Sequence, residues 1–165
     1  MDFKLRPWTM EDASGLPEHA NNFNIARFMM DRFPHPYTIE DANVFISFAV
    51  NNDPVTLFAI EINGQAAGGI GIHPQQDVYK RNAELGYWLA EPYWGHGITS
   101  SAIRQIVDYA FANFDIDRIF ARPFGTNLRS QRVLEKTGFT IEGRFKKTIF
   151  KNGEYLDELV YAIRR

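Results

Sequence analysis

Along this chain the apolar positions first alternate, then recur at helical spacing, then alternate again through a long central stretch, and each change of period marks an element. Phe3 to Pro7 alternates apolar and polar residues and predicts a strand. Thr9, followed by Glu11 and Asp12, predicts a helix N-terminus with acids in its first turn. Residues 22–33 carry Phe23, Ile25, Phe28, Met29 and Phe33 before Pro34-His35-Pro36, which predicts a short helix and a loop. From Thr38 the apolar set Ile39, Ala42, Phe45, Ile46 and Ala49 predicts a better helix, closed by Asn51-Asn52-Asp53-Pro54.

The period then drops to two. Val55–Ile62 and Ala66–His73 flank Asn63-Gly64, a two-residue hairpin signal because both turn positions take positive φ. A third strand, Asn82–Glu91, sets Ala83, Leu85, Tyr87 and Leu89 on one face and Glu84, Gly86 and Trp88 on the other, which predicts an antiparallel meander. Gly97–Phe114 is the longest amphipathic helix, with Ile98, Ala102, Ile103, Ile106, Ala110 and Phe114 on one side. A short strand at Arg118–Arg122, a helix at Asn127–Thr137 and two strands joined at Asn152-Gly153 complete the pattern. The result is an α+β fold with one central sheet. No repeat, linker or low-complexity tract divides the 165 residues, so a single domain over 1–165 is expected.

Composition narrows the function classes. With 45% hydrophobic and 23% charged residues there is material for a core and no signature of disorder. A net charge of -2 provides no basic field for nucleic acid or an anionic membrane, so any anion site must be built locally. The absence of cysteine excludes disulfides, thiolate zinc sites and a thiol nucleophile, and no metal site is expected. The N-terminal residues lack the apolar run of a signal peptide and no stretch is long enough for a membrane helix, so a cytoplasmic protein is expected.

A local anion site is available in Tyr93-Trp94-Gly95-His96-Gly97-Ile98-Thr99-Ser100-Ser101, which leads into the long helix. Two glycines at i and i+2 let the backbone curl so that successive amides point inward, next to the free N–H groups and positive end of the helix dipole. The same residues also suit a plain tight turn capped by Thr99 or Ser100, so Gly-x-Gly alone leaves both readings open. Gly-Lys-Ser/Thr is absent, which separates the turn from a nucleotide-binding P-loop and disfavours a nucleotide-phosphate enzyme.

A second segment, Asn127-Leu128-Arg129-Ser130-Gln131-Arg132-Val133-Leu134-Glu135-Lys136-Thr137-Gly138-Phe139, resembles the second signature of the GCN5-related N-acetyltransferase superfamily. Glu84-Leu85-Gly86-Tyr87-Trp88-Leu89 before the glycine turn fits the same resemblance, which covers residues 3–164 and is similar to the subgroup containing ribosomal-protein N-terminal acetyltransferases. The resemblance implies a mixed, mostly antiparallel sheet of about seven strands flanked by helices, splayed at the site of acetyl-coenzyme A, the acetyl donor. It implies that the amides of Gly95, His96, Gly97, Ile98, Thr99 and Ser100 bind the cofactor diphosphate, although Trp94 and Thr99 depart from the family pattern at its first and last places. Asn127 matches the coenzyme-contacting asparagine and also suits a helix N-cap, while Arg129 and Arg132 are expected to be solvated or to reach the 3′-phosphate. The position of the family tyrosine that protonates the leaving thiolate is occupied by Leu134, so Ser130 or a water takes that role here.

Direct acetyl transfer needs a neutral amine, a donor for the developing oxyanion and an acceptor for the amine proton. Backbone groups of Tyr87, Trp88 and Leu89 suit the donor role and Glu84 the proton acceptor, unless Glu84 merely pairs with Lys80 or Arg81. A lysine-type amine with pKa ~10.4 is neutral about one time in a thousand near pH 7.4, costing ~4 kcal/mol, whereas an α-amine near ~8 costs under ~1 kcal/mol. An N-terminal α-amine therefore fits a site without a strong base. Phe28, Met29, Phe33, Tyr37, Trp88 and Phe150 are candidate walls for the acceptor, and Asp31, Glu84 or Asp157 candidate attractors of a cationic amine. Partners expected are acetyl-coenzyme A and an amine, with no nucleic acid and no membrane, in a monomer or homodimer. A non-catalytic acyl-coenzyme A module of the same fold is the alternative.

Overall fold

The computed structural model describes all 165 residues. Its strands are β1 (Lys4–Pro7), β2 (Leu57–Ile62), β3 (Gln65–Pro74), β4 (Asn82–Leu89), β5 (Arg118–Ala121), β6 (Thr140–Lys151) and β7 (Glu154–Arg164). Its helices are α1 (Leu16–Ala20), α2 (Phe23–Ala26), α3 (Ile39–Ala49), α4 (Ile98–Asn113) and α5 (Leu128–Lys136). One seven-stranded sheet runs in the order β1-β2-β3-β4-β5-β7-β6. The pairs β1/β2, β2/β3, β5/β7 and β6/β7 are antiparallel, and β4/β5 is parallel. The parallel pair requires a long crossover, which α4 supplies. Its register joins Asn82–Glu84 to Arg118–Phe120 only, and β4 runs on to Leu89.

The chain divides into two compact units, Met1–Gly71 with Tyr87–Ile98, and Ile72–Gly86 with Thr99–Arg165. In the first unit, α3 opens on a capping box: the Asp41 amide donates to Thr38 Oγ1 at 3.3 Å, and the Thr38 amide donates to the Asp41 carboxylate at 2.8 Å. Its buried face, Ala42, Ile46 and Ala49, joins Trp8, Leu16, Ala20, Tyr37 and Ala59 in one core. The segment after Thr9 forms a 3-10 turn, Met10–Ser14, and then the short α1, since Gly15-Leu16-Pro17 restarts the helix. The helical spacing across 22–33 is realised only over Phe23–Ala26, under the Asn22 cap, and turns follow. Arg6 fastens β1 with a fork onto Asp12 at 2.7 and 2.8 Å and a further bond to Glu61. Burial works against ionising Asp12, but the Arg6 fork and the Thr9 amide outweigh it and hold its carboxyl below the usual range.

In the second unit, Ala102, Ile103, Ile106 and Ala110 of α4 are buried, as are Ile119, Leu134 and Leu159. Arg81 chelates Asp117 at 2.6 and 2.9 Å and also bonds Asp115. The hairpin β6/β7 turns at Asn152-Gly153, both at positive φ as its sequence requires. On β6 the register shifts between Phe145 and Ile149, where Lys147 stands at φ 52°. Asp157 of β7 seals this bulge, accepting from the Lys147 amide at 3.0 Å and from Arg144 at 3.2 Å. Those two donors hold the Asp157 carboxyl below its ordinary range.

Candidate functional site

The glycine turn takes the conformation its sequence calls for. Gly95 and Gly97 stand at φ +80° and +76°, where an L side chain is strained, and a Cβ built on either meets nothing within 4 Å. The glycines therefore serve backbone shape and an open approach, since no neighbouring atom demands a missing side chain. Gly95, His96 and Gly97 are exposed, and Ile98, which is buried, begins the 16-residue α4. The first turn of α4 contains no acid, whereas α3 has Glu40 and Asp41 in its own. Amides at that end of α4 thus remain without an internal carboxylate, in an environment that favours an external anion. These features fit the diphosphate of acetyl-coenzyme A. Thr99 is half-buried and Ser100 buried within the same first turn.

What steadies the turn was not legible in the sequence. Trp94, the departure from the family pattern, donates its indole N–H to the Leu89 carbonyl at 2.7 Å and so ties the turn back to the end of β4. Glu91, in the 3-10 turn Glu91–Tyr93, accepts from Asn22 at 2.6 Å and from Asn24 at 3.1 and 3.2 Å. The Ala90 amide donates to the Ala67 carbonyl at 2.8 Å, and His96 Nδ1 lies 3.2 Å from the Tyr93 carbonyl. Asn22 and Asn24 are separated from Glu91 by about seventy positions, a distance over which no local pattern operates.

Tyr87, Trp88 and Leu89 form the last turn of pleat in β4, with Leu89 buried and the other two half-buried. Trp88 meets Phe33 edge-on with centroids 5.6 Å apart, and Phe33 meets Tyr37 at 5.1 Å. Three of the six expected acceptor walls therefore assemble within the first unit. Phe28 instead carries the Arg27 guanidinium 4.7 Å above its ring, and Met29 is half-buried. Phe150 lies on the β6/β7 hairpin against Tyr155 at 5.0 Å and is exposed. Of the candidate acids, Asp31 is exposed and Asp157 is engaged at the β6 bulge.

In the second unit, Glu84 faces away from buried Ala83 and Leu85, as the alternation predicts. Its ion-pair partner is Arg122, whose Nε and Nη2 reach the two carboxylate oxygens at 2.9 and 3.1 Å, rather than Lys80 or Arg81. Glu84 raises the Arg122 guanidinium above its ordinary value, chiefly through the hydrogen-bonded fork. Arg122 also borders a cavity of about 440 Å³ lined by Asn82, Phe120, Glu142 and Phe145. Asn127 caps α5: its Oδ1 accepts from the Ser130 amide at 3.2 Å. Ser130 is half-buried in the first turn, Arg129 and Arg132 are exposed, and Leu134 is fully buried.

Comparison with known proteins places this geometry. Residues 2–140 match the family model described as an acetyltransferase (GNAT) domain. The Bacillus subtilis protein named "Probable N-acetyltransferase YjcK" is 43% identical over 83 residues, which are 50% of this chain and 46% of that protein. Spermidine N(1)-acetyltransferase of Escherichia coli K12 is 24% identical over 97% of this chain and 84% of its own length. The chain spans about half the length of the Bacillus subtilis relatives YdaF, YoaA and YjcK, 55, 54 and 46% respectively. Among solved structures, a GNAT-family acetyltransferase from Bacillus anthracis superposes with a TM-score of 0.84 at 26% identity, covering 99% of this chain and 95% of that one. Mycobacterium smegmatis RimJ, solved with a coenzyme A disulfide, gives 0.84 at 26% identity over 98% and 81%. With the family model running from β1 into β6 and the sheet and glycine turn in the order the family requires, the chain belongs to the GNAT acetyltransferase family.

Proposed function

We propose that the 165 residues act as one acetyltransferase domain that moves an acetyl group from acetyl-coenzyme A to a primary amine, either a protein N-terminal α-amine or the amine of a small molecule. The observation that carries this reading is the glycine turn at the acid-free start of α4, with Gly95 and Gly97 at positive φ and open space before them. A family match that runs across both compact units supports reading the chain as one domain.

When bound, acetyl-coenzyme A supplies an activated thioester, and every other contribution comes from the chain. The amides of Gly95, His96, Gly97, Ile98, Thr99 and Ser100 hold the diphosphate, and Asn127 contacts the coenzyme while capping α5. Backbone groups of Tyr87, Trp88 and Leu89 orient the acetyl-bearing arm and stabilise negative charge on its oxygen. Glu84 takes the amine proton, directly or through water, and the Arg122 fork keeps that carboxylate in one orientation. The Ser130 hydroxyl, or a bound water, donates a hydrogen bond to the departing sulfur, which leaves as a thiolate; a thiol of pKa ~8.5 needs only this modest help near neutral pH.

Thermal unfolding with acetyl-coenzyme A, coenzyme A and ATP in parallel tests the cofactor assignment. A ligand that binds only the folded protein adds ~2.7 kcal/mol at 100 times its dissociation constant. The expected result is a selective rise with both coenzyme A ligands; a rise with ATP alone, or with none, overturns it. Leu134, buried where the family has a hydroxyl, favours one second reading, a non-catalytic acyl-coenzyme A sensor. Thiol release in the presence of an amine panel separates the two.

A further inference from the structure

Gly69 of β3 has an unusual surrounding. A Cβ at this position would lie 2.8 Å from Trp88 Nε1 and 3.2 Å from the Trp8 ring, so only glycine admits the Trp88 indole where it sits. Neighbouring Gly68 is likewise filled, with the Trp88 carbonyl 2.6 Å from where its Cβ would be. The chain has given up two side chains in the middle of a strand, where glycine weakens the strand, and the space goes to Trp88. That indole is only half-buried and faces Phe33, which in turn faces Tyr37.

Polar atoms within this aromatic group are left over. Trp94 gives its indole N–H to Leu89, and Tyr161 gives its hydroxyl to Glu135 at 2.9 Å. The Trp88 N–H and the Tyr37 hydroxyl have no acceptor in the protein, although Tyr37 is 94% buried (6% exposed), and neither atom is sealed off. The polar atoms of tryptophan and tyrosine normally find such a partner when buried. Burial pushes the Tyr37 phenol up to about 12, with Asp41 adding to the effect, so it remains a donor throughout the neutral range. Asp41 itself is engaged by Thr38 at 2.8 Å. The group therefore combines flat apolar walls with two donors and no uncommitted carboxylate.

Resting on the acetyl-transfer reading above, we propose that Trp88, seated on Gly69, is a specificity-determining residue whose indole N–H binds an oxygen of the acceptor. The acceptor class this selects is an amine with a carbonyl or hydroxyl close to its nitrogen, such as an α-aminoacyl compound. Polyamines and plain alkylamines, which carry only donors when protonated, have nothing to offer these groups except attraction to the aromatic faces.

The test pairs L-alaninamide with n-propylamine as acceptors, in the wild type and Trp88→Phe. Each substrate is compared between the two proteins, so the different ionisation of the amines cancels. Loss of one hydrogen bond to an oxygen is expected to raise KM for L-alaninamide about 10-fold more than KM for n-propylamine, whatever change in the aromatic wall the two amines share. Gly69→Ala, whose methyl displaces the indole without removing it, is expected to show the same selective loss. The Trp88 indole N–H resonance of the wild type should move on titration with L-alaninamide and stay in place with n-propylamine. An equal effect on both amines, a larger one on n-propylamine, or an unmoved indole overturns the proposal. The resonance reads binding without turnover: a moving indole with no acetyl transfer overturns the enzyme reading alone, and transfer with an unmoved indole overturns this proposal alone.

Discussion

Leu134 separates packing from chemistry at a single position. It is the fully buried residue of α5, at the position where the family resemblance implies a tyrosine hydroxyl. Leu134→Tyr is therefore expected to overfill the core, costing about 1–3 kcal/mol in urea unfolding, without raising turnover. A gain in kcat would show that the hydroxyl reaches the leaving group after all. At Asp12 the side chain is 9% exposed and its carboxyl is held below the usual range by the Arg6 fork. A carboxyl depressed by folding contributes stability above its unfolded value near ~3.9 and loses it as pH falls through the folded value. Stability of the wild type should thus decline steeply below about pH 4, and Asp12→Asn should be less stable near neutrality and flatter across that acid range. Denaturant midpoints from pH 7 to 2.5 provide the check.

At the scale of elements, caps account for much of what could be read in advance. Thr38 and Asn127 announced α3 and α5 because short polar side chains satisfy amides that the helix cannot, and both make that bond. Asn127→Ala is expected to cost ~1 kcal/mol of stability by loss of the cap, and to weaken coenzyme A binding in isothermal titration by more than Thr38→Ala, which removes an equivalent cap elsewhere. Equal effects would make Asn127 a cap and nothing else. The hairpins at Asn63-Gly64 and Asn152-Gly153 were legible because positive φ restricts residue choice. The stretch 22–33 misled because apolar spacing does not reveal that Ala26 is the last helical residue before a series of turns. Glu91 with Asn22 and Asn24, Glu84 with Arg122, and the Trp94 bond to Leu89 were illegible for one shared reason: each partner is chosen by the fold.

For the molecule as a whole, the α+β class with one central sheet was readable from periodicity, whereas the strand order, with β7 between β5 and β6, was not, because helical connections leave the placement of a strand to the fold. Function was not, because a Gly-x-Gly turn serves shape and anion binding equally until the strand before it and the Asn127 helix after it are considered together. The sheet ends in β6, twelve residues long with both faces largely exposed, which is the kind of border that recruits strands from other chains. The bulge at Lys147, closed by Asp157, interrupts the free row of amides and carbonyls midway along that border. A foreign strand would find two short runs out of step in place of one continuous ladder, so the same carboxylate that shapes the hairpin also guards the protein against edge-to-edge aggregation.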